Sequence, residues 1–221
     1  MITKNFIHIH IPKTGGQQIR LLISHSGMPI LDQATNRNIK ECYEIMSRLA
    51  PDMDPASMPI FCFVRNPWDW YVSRYFFRNQ RDRSQDAVAI PADTCGEGVE
   101  GFQKHMRLLK ASWESGDPVL NEFGKPAGTD YAPIMLSGWH EMRLDGVRGP
   151  MRVGRFENFT EDTVTIFRSL SGVSRDKIME LIMARVNASR HDKYRDYYDD
   201  ELKTMVAEWD ADYIEKFGYR F

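Results

Sequence analysis

The sequence predicts an α/β fold in which a central, mostly parallel sheet is flanked by helices. Two short runs of β-branched and aromatic residues, 6–11 and 60–64, have the length and composition of buried strands. Each run leads within a few residues into a segment whose apolar side chains recur at helical spacing. Repeated strand-to-helix transitions are typical of parallel strands joined by crossover helices. A chain of 221 residues fits one such domain with a single core, over residues 1–221.

Composition and charge exclude several classes of protein. With 42% hydrophobic and 27% charged residues, the chain is globular rather than disordered. A net charge of −2 does not favour a nucleic-acid-coating surface, so an anionic ligand would need a local cationic site. Three cysteines without C-x-x-C spacing predict reduced thiols rather than a disulfide framework or a zinc site. No apolar stretch reaches the ~20 residues of a membrane span and no leader pattern is present, so we expect a soluble, cytoplasmic protein.

The first strand runs into a glycine turn that is suited to an anion. Pro12 has no N–H and ends the strand's hydrogen bonding, while Gly15 and Gly16 allow a sharp turn and a close approach of the backbone. The helix that follows has an apolar face formed by Ile19, Leu22 and Ile23. Its first N–H groups carry a partial positive charge, to which Lys13 adds a full one. This stretch predicts a phosphate site.

The pattern Lys-Thr-Gly-Gly is only moderately specific by itself. It differs from the mononucleotide loop G-x-x-x-x-G-K-[ST], because the lysine precedes the glycine pair. A tight strand-to-helix turn with an exposed lysine is the alternative interpretation of the same residues.

Short apolar runs and helical patterns continue to alternate along the chain. Gly27 ends the first helix, and residues 28–31 have the composition of a short strand. Residues 38–49 carry apolar side chains at helical spacing. A linker punctuated by prolines, 51–59, then leads into the second core strand at 60–64.

The second core strand is followed by a second candidate anion site. Asn66 is suited to cap a helix, and Pro67 to occupy its first position. Arg65 offers a planar fork for a phosphate, and Ser73 a hydroxyl donor eight residues later. The sequence therefore predicts that Arg65 and Ser73 reach one anion together.

The middle of the chain is polar and the least regular. We expect loops at 78–98 and 114–129, separated by a helix at 102–113. Residues 131–139 fit either a strand or the edge of a loop.

The C-terminal third returns to clear patterns. A short strand at 151–156 precedes a helix capped by Thr160 and ended by Gly172, and a further helix starts at Ser174. One last helix starts near Asp199. Its apolar face is formed by Leu202, Met205, Val206, Trp209 and Tyr213.

These stretches together resemble the sulfotransferases that use 3′-phosphoadenosine-5′-phosphosulfate (PAPS), most closely the bacterial and glycan-modifying branch. The 5′-phosphosulfate loop of that family corresponds to Lys13, Thr14, Gly15 and Gly16. Its 3′-phosphate motif corresponds to Arg65 and Ser73. Residues 153–159 and 187–221 are also similar to the family, whereas 78–150 is the weakest part. The resemblance implies a P-loop NTPase-like sulfotransferase fold with a variable acceptor-side region around 78–150.

The resemblance also implies roles for individual residues. The family's Thr-Ser pair after the glycines is replaced here by Gln17 and Gln18, which we place with the cofactor-binding residues. Gln33 stands where relatives often carry a histidine, and a glutamine is no base at neutral pH. Candidates for the base are therefore Asp32, His25, His10 and Glu41, with Asp32 and His25 taken as the catalytic pair beside Lys13. Arg190, in a basic C-terminal loop, is a candidate phosphate clamp by analogy with the family.

The function implied is transfer of a sulfuryl group from PAPS, as co-substrate, to a hydroxyl of a carbohydrate or glycoconjugate. Lys13 would stabilise negative charge on the leaving oxygen, and no metal is required. Two other functions stay open. A small-molecule or nucleotide kinase is disfavoured by the absence of the G-x-x-x-x-G-K-[ST] loop, and a catalytically silent nucleotide-binding protein is favoured by Gln17, Gln18 and Gln33. The acceptor and the oligomeric state do not follow from the sequence.

Overall fold

The computed structural model describes residues 1–79, 95–115, 135–183 and 191–221. Five strands form one mixed sheet in the described part of the chain. They are β1 (Ile2–Thr3), β2 (Ile7–His8), β3 (Ile30–Asp32), β4 (Ile60–Val64) and β5 (Met151–Arg155).

Helices alternate with the strands and then dominate the C-terminal part. The helices are α1 (Gly16–His25), α2 (Ile39–Leu49), α3 (Pro67–Asn79), α4 (Gly98–Ser115), α5 (Leu136–Leu144), α6 (Phe159–Ser171), α7 (Arg175–Met183), α8 (Asp200–Trp209) and α9 (Ala211–Phe217). Short 3₁₀ turns lie at Pro55–Ser57, Phe156–Asn158 and Tyr194–Tyr197. No helix in the described part of the chain is both long and apolar enough to span a bilayer.

The chain divides into two compact units. The first comprises residues 1–65 and 140–188, and the second comprises residues 66–139 and 189–221. All five strands belong to the first unit. The prediction of one domain over 1–221 stays a prediction.

The sheet has the strand order β3-β1-β2-β4-β5. β2 pairs in parallel with β4, and β4 with β5, which confirms the parallel centre of the sheet. β1 is antiparallel to both of its neighbours, β2 and β3, so the sheet is mixed. The reversal arises from a tight turn in which the Thr3 hydroxyl accepts from the N–H groups of Asn5 and Phe6, folding β1 back onto β2.

Helices α1, α6 and α7 pack on the sheet of the first unit. Phe61 and Phe63 are two residues apart on β4 and therefore point to the same face of the sheet, where they meet apolar side chains of these helices. The shared core also contains Phe6, Ile19, Leu22, Ile23, Val164, Phe167, Ile178 and Ile182. All five residues of β4 are buried, as a central strand covered on both faces requires.

The second unit is built around α3. Pro67 opens this helix, and the Asn66 Oδ1 accepts from the Trp68 N–H at 3.1 Å, which confirms the predicted cap. The Trp68 indole donates to the Lys203 carbonyl at 3.0 Å, and the Tyr198 hydroxyl donates to the Trp68 carbonyl at 2.9 Å. These bonds tie α3 to α8 and to the segment before it.

Asp210 interrupts the single helix predicted from position 199 onward. The Asp210 carboxylate is buried, and it accepts from the Tyr71 hydroxyl at 3.0 Å and from the Ser137 N–H at 2.7 Å. The chain therefore forms two helices, α8 and α9, and Tyr213 lies on the second. Burial raises the pKa of Asp210, although the hydrogen bonds from Ser137 and Tyr71 act in the opposite direction.

Other boundaries differ from the sequence predictions in smaller ways. Helix α6 begins at Phe159 with Asn158 before it, so Thr160 lies in the first turn rather than at the cap. Residues 136–139 are helical rather than extended. Gly172 does end α6, with a φ of 72°. The parts of the predicted loops at 80–94 and 116–129 lie outside the described residues.

The raised pKa of Asp210 makes a prediction about stability and pH. Because the folded state holds this proton more tightly than the unfolded chain, the free energy of unfolding should rise as pH falls from the folded pKa toward the ordinary value of about 3.9. Asp210→Asn should abolish this contribution, whereas Asp212→Asn, at an exposed position, should leave it intact. Urea denaturation of the three proteins at a series of pH values from 7 down to 4 measures the difference. A wild type that loses stability relative to Asp210→Asn on acidification would contradict the account.

Candidate anion-binding site

The carboxyl ends of β2, β4 and β5 lie at one edge of the sheet of the first unit. The parallel register pairs His8 with Phe61 and Val64 with Arg155, so the three strands end on the same side. The turn after β2 (residues 12–16, here called the glycine loop), the residue after β4 and the turn after β5 all start from this edge. Open α/β sheets bind ligands at this edge.

Lys13 itself has a strained backbone conformation within the glycine loop. It is the only non-glycine residue with a positive φ, 63°, in the described part of the chain. The left-handed conformation costs a residue with a Cβ about 1–2 kcal/mol relative to the right-handed region. Such strain persists only where surrounding contacts enforce it, and it concentrates at functional sites.

Arg65 provides one of the contacts that fix Lys13. Its Nη1 donates to the Lys13 carbonyl at 2.9 Å, and its guanidinium lies 4.1 Å from the centre of the Phe156 ring. The side chain is buried, with 5% of its surface exposed. The residue after β4 thereby connects the glycine loop to the turn after β5.

The two glycines of the loop are packed against aromatic side chains. A methyl group on Gly15 would overlap the ring of Phe159, and Gly15 also has a φ of 86°. A methyl group on Gly16 would overlap the imidazole of His10. Only glycine fits either position, so the sequence Gly-Gly is fixed by packing as well as by turn geometry.

Helix α1 starts directly from this turn. The Gly15 carbonyl accepts from the N–H groups of Gln18 and Ile19, at 3.0 and 3.2 Å. The N–H groups of Gly16 and Gln17 precede these first bonds, so they have no acceptor within the helix. A helix start of this kind, next to a lysine, favours an anion.

The side chains of Thr14 and Gln18 make hydrogen bonds within the fold, and their role in binding a cofactor stays a prediction. The Thr14 hydroxyl donates to the Ile11 carbonyl at 2.8 Å, so the donor expected for phosphate is used inside the turn. The Gln18 amide donates to the carbonyls of Leu181 and Ile182, at 3.0 and 3.4 Å, and ties α1 to the end of α7. The Gln17 side chain is exposed at the first turn of α1. Thr14 and Gln18 thus contribute to the loop through backbone and packing.

The two candidate bases taken from the sequence lie away from the glycine loop. His25 is at the other end of α1, about 14 Å from Gly16 along the axis, where its Nδ1 lies 2.9 Å from the Leu21 carbonyl. Asp32 shares a row of the sheet with Ile7, about 10 Å away across two strand spacings, and accepts from the Arg37 Nε at 2.7 Å. Both positions lie away from the glycine loop, and their role as bases stays a prediction.

The roles of two further predicted ligands stay predictions. Ser73 is fully buried in α3, in the second unit. Its joint role with Arg65 stays a prediction. Arg190 lies outside the described residues.

His10 is the ionisable side chain that the structure does place against the loop. Burial lowers its pKa to about 4, and the positive charges of Arg143, the chain's amino group and Lys13 act in the same direction. His10 is therefore a neutral imidazole at pH 7. Its Nδ1 is enclosed and has no hydrogen-bond partner among the described residues, while the residue as a whole is half-buried.

The contacts made by Phe156 and Phe159 were not foreseen from the sequence. Phe156 under Arg65, Phe159 over Gly15 and His10 over Gly16 form the packing shell of the loop. The stretch 153–159 is similar to the sulfotransferase family, but no spacing rule relates it to residues 13–16. Tertiary pairing of β4 with β5 brings it there.

A surface cavity of about 530 Å³ lies elsewhere in the first unit. It is lined by Lys40, Tyr43, Glu44, Ser47, Gly146, Val147 and Arg148. Residues 146–148 precede β5, so the cavity faces the opposite edge of the sheet from the glycine loop. Within the described ranges, no three His, Cys, Asp or Glu side chains come together as a metal site needs.

No protein-family model matches this chain, and no curated protein matches it. The site is therefore interpreted from its geometry. Lys13, the start of α1 and Arg65 combine two full positive charges with backbone donors at one edge of the sheet, which suits a phosphate or a sulfate.

The strain at Lys13 predicts different stabilities for two substitutions. Glycine adopts the left-handed conformation freely, so Lys13→Gly should be more stable than Lys13→Ala by about 1 kcal/mol. Both variants lose the ammonium group, which makes them a matched pair. Urea denaturation followed by circular dichroism measures the difference. Equal stabilities would show that position 13 is not held in this conformation in solution.

Proposed function

We propose that this chain is a PAPS-dependent sulfotransferase with a P-loop-like sulfotransferase fold, acting on a hydroxyl of a carbohydrate or glycoconjugate. The observation that carries the proposal is the hydrogen bond from the Arg65 Nη1 to the Lys13 carbonyl. It joins the two stretches that, from sequence alone, were each expected to hold one phosphate group of the same nucleotide.

The residues of the first unit fit a phosphosulfate in chemical type. The site requires backbone N–H donors and a compact positive charge, which the start of α1 and Lys13 supply. The packing of Gly15 and Gly16 on Phe159 and His10 requires glycine at both positions and so fixes the shape of the turn. PAPS bound there would supply the sulfuryl group and a phosphate leaving group.

Lys13 and Arg65 have distinct roles in the proposed reaction. Negative charge develops on the oxygen that leaves with phosphorus, and a fixed ammonium stabilises that charge without reorganisation. Arg65 holds the carbonyl of the same residue, so it positions the Lys13 backbone while its charge adds to the field at the edge of the sheet. No metal ion is needed for either role.

The proposal predicts a preference for one product nucleotide. Adenosine 3′,5′-bisphosphate (PAP) should bind more tightly than adenosine 5′-phosphate, since only the former carries a second phosphate. Isothermal calorimetry measures both dissociation constants, and thermal shift provides an independent readout. Equal affinity for the two nucleotides would refute a 3′-phosphate site, and binding of neither would refute the proposed function.

Arg65 variants test how much this side chain contributes to the free energy of PAP binding. Arg65→Ala should weaken PAP by about 1.5–3 kcal/mol, the scale of charged hydrogen bonds. Arg65→Lys should recover little of the loss, because an ammonium cannot both reach the Lys13 carbonyl and stack on Phe156 as the planar guanidinium does. Arg152→Ala, at an exposed position on β5, is the control and should bind PAP as the wild type does. A folded Arg65→Ala variant with unchanged affinity would remove Arg65 from the site.

A further inference from the structure

The glycine loop has a neighbour whose chemistry the proposed function has not used. The His10 imidazole packs on the Cα of Gly16, at the first turn of α1. It is an ionisable group close enough to Lys13 for the charge of the lysine to lower its pKa. The ring of His8 lies 6.4 Å away between centroids, but His8 is fully buried, whereas His10 is half-buried. Of these two histidines, only His10 has an edge that faces outward.

The orientation of the ring assigns different roles to its two nitrogens. Nδ1 is enclosed against Gly16, with no hydrogen-bond partner among the described residues. Nε2, the other ring nitrogen, is not among the enclosed side-chain atoms without a partner, so it is the nitrogen available to accept a proton. An enclosed polar atom without a partner is costly, so its presence in the ring calls for an explanation.

The charges around His10 keep the imidazole neutral. The groups that face it are Lys13 of its own loop, Arg143 of α5 and the chain's amino group on β1, and all three are positive. On helix α1, the ring lies against Gly16, which carries no charge. The ring is thus an unprotonated acceptor in a cationic site at neutral pH.

From this geometry we propose that His10 is the proton acceptor for the hydroxyl that receives the sulfuryl group. The inference rests on the proposed function. In the transfer, the hydroxyl oxygen forms a bond to sulfur, the bond from sulfur to the phosphate oxygen breaks, and the leaving nucleotide keeps that electron pair. The hydroxyl proton passes to the His10 Nε2 and then to solvent, so that the sulfate ester, PAP and neutral His10 remain.

A weakly basic imidazole is compatible with this role. If the transition state is loose, as it is in most analyses of the related phosphoryl transfer, the hydroxyl loses its proton late and needs little prior activation. A protonated His10 beside Lys13 and Arg143 would release its proton quickly, which resets the site. An ordinary histidine near pKa 6.5 would instead be partly protonated at pH 6 and lose activity there.

The test uses His10→Asn and His10→Gln, which keep a polar side chain but cannot take up a proton near neutral pH. The probe reaction is release of sulfate from PAPS, with water as the acceptor, and the parallel measurement is PAP affinity by calorimetry. We expect both variants to bind PAP within about threefold of the wild type and to lose a factor on the order of 10² or more in rate. His25→Asn removes the other candidate histidine and should release sulfate from PAPS at the wild-type rate.

A second readout does not depend on turnover. The His10 signal in ¹⁵N imidazole spectra, identified by its loss in His10→Asn, should be that of a neutral ring at pH 5.5 and should shift when PAP is added. The wild-type rate should accordingly stay flat between pH 8 and pH 5.5.

The outcomes separate the two claims. Failure of the wild type to bind PAP would overturn the proposed function and this inference with it. PAP binding without release of sulfate from PAPS would overturn the role of His10 as proton acceptor. The same role would be overturned if His10→Asn keeps the wild-type rate or loses only PAP affinity. It would also be overturned if the wild-type rate falls as the pH is lowered through 6.5.

Discussion

The hydrogen bond from Arg65 to the Lys13 carbonyl is the constraint on which the candidate site depends. It holds a lysine in a conformation that favours glycine, and it uses a buried guanidinium stacked on Phe156 to do so. The bond offsets part of the cost of about 1–2 kcal/mol of left-handed backbone at Lys13. This bond fixes the Lys13 carbonyl and so limits movement of the turn that carries the Lys13 side chain and leads into α1.

The sheet makes that bond possible. Parallel pairing of β2, β4 and β5 brings three chain segments that are far apart in sequence to one edge. Each segment contributes a different chemical element: a strained cationic turn, a planar guanidinium, and aromatic rings that pack on both. Phe159 and His10 then occupy the space that side chains at positions 15 and 16 would need. Rigid positioning of this kind is what electrostatic catalysis requires, because donors that are already oriented cost nothing to reorganise.

The sequence predicted the parts of the site that follow from local rules. Pro12, Gly15 and Gly16 after an apolar run indicated a turn into a helix, and Asn66-Pro67 indicated the start of α3, because caps and turns depend on neighbouring residues alone. The positive φ of Lys13 and the stacking of Arg65 on Phe156 could not be predicted, since both depend on tertiary contacts. The antiparallel β1 was missed because a two-residue strand has no periodicity, and Asp210 was missed because a carboxylate in a helical pattern gives no indication that it is buried. The choice of Asp32 followed the family pattern, whereas strand register and helix length place both Asp32 and His25 away from the loop.

The measurement that tests the central claim most directly is ³¹P NMR of PAP bound to the wild type and to Lys13→Gly. The two phosphates give separate resonances, and the glycine variant keeps the loop conformation while it lacks the ammonium. The account predicts that the 5′-phosphate resonance shifts on binding to the wild type, that this shift shrinks in Lys13→Gly, and that the 3′-phosphate resonance responds equally in both proteins. A change confined to the 3′-phosphate, or identical spectra for the two proteins, would show that the glycine loop does not hold the 5′-phosphate.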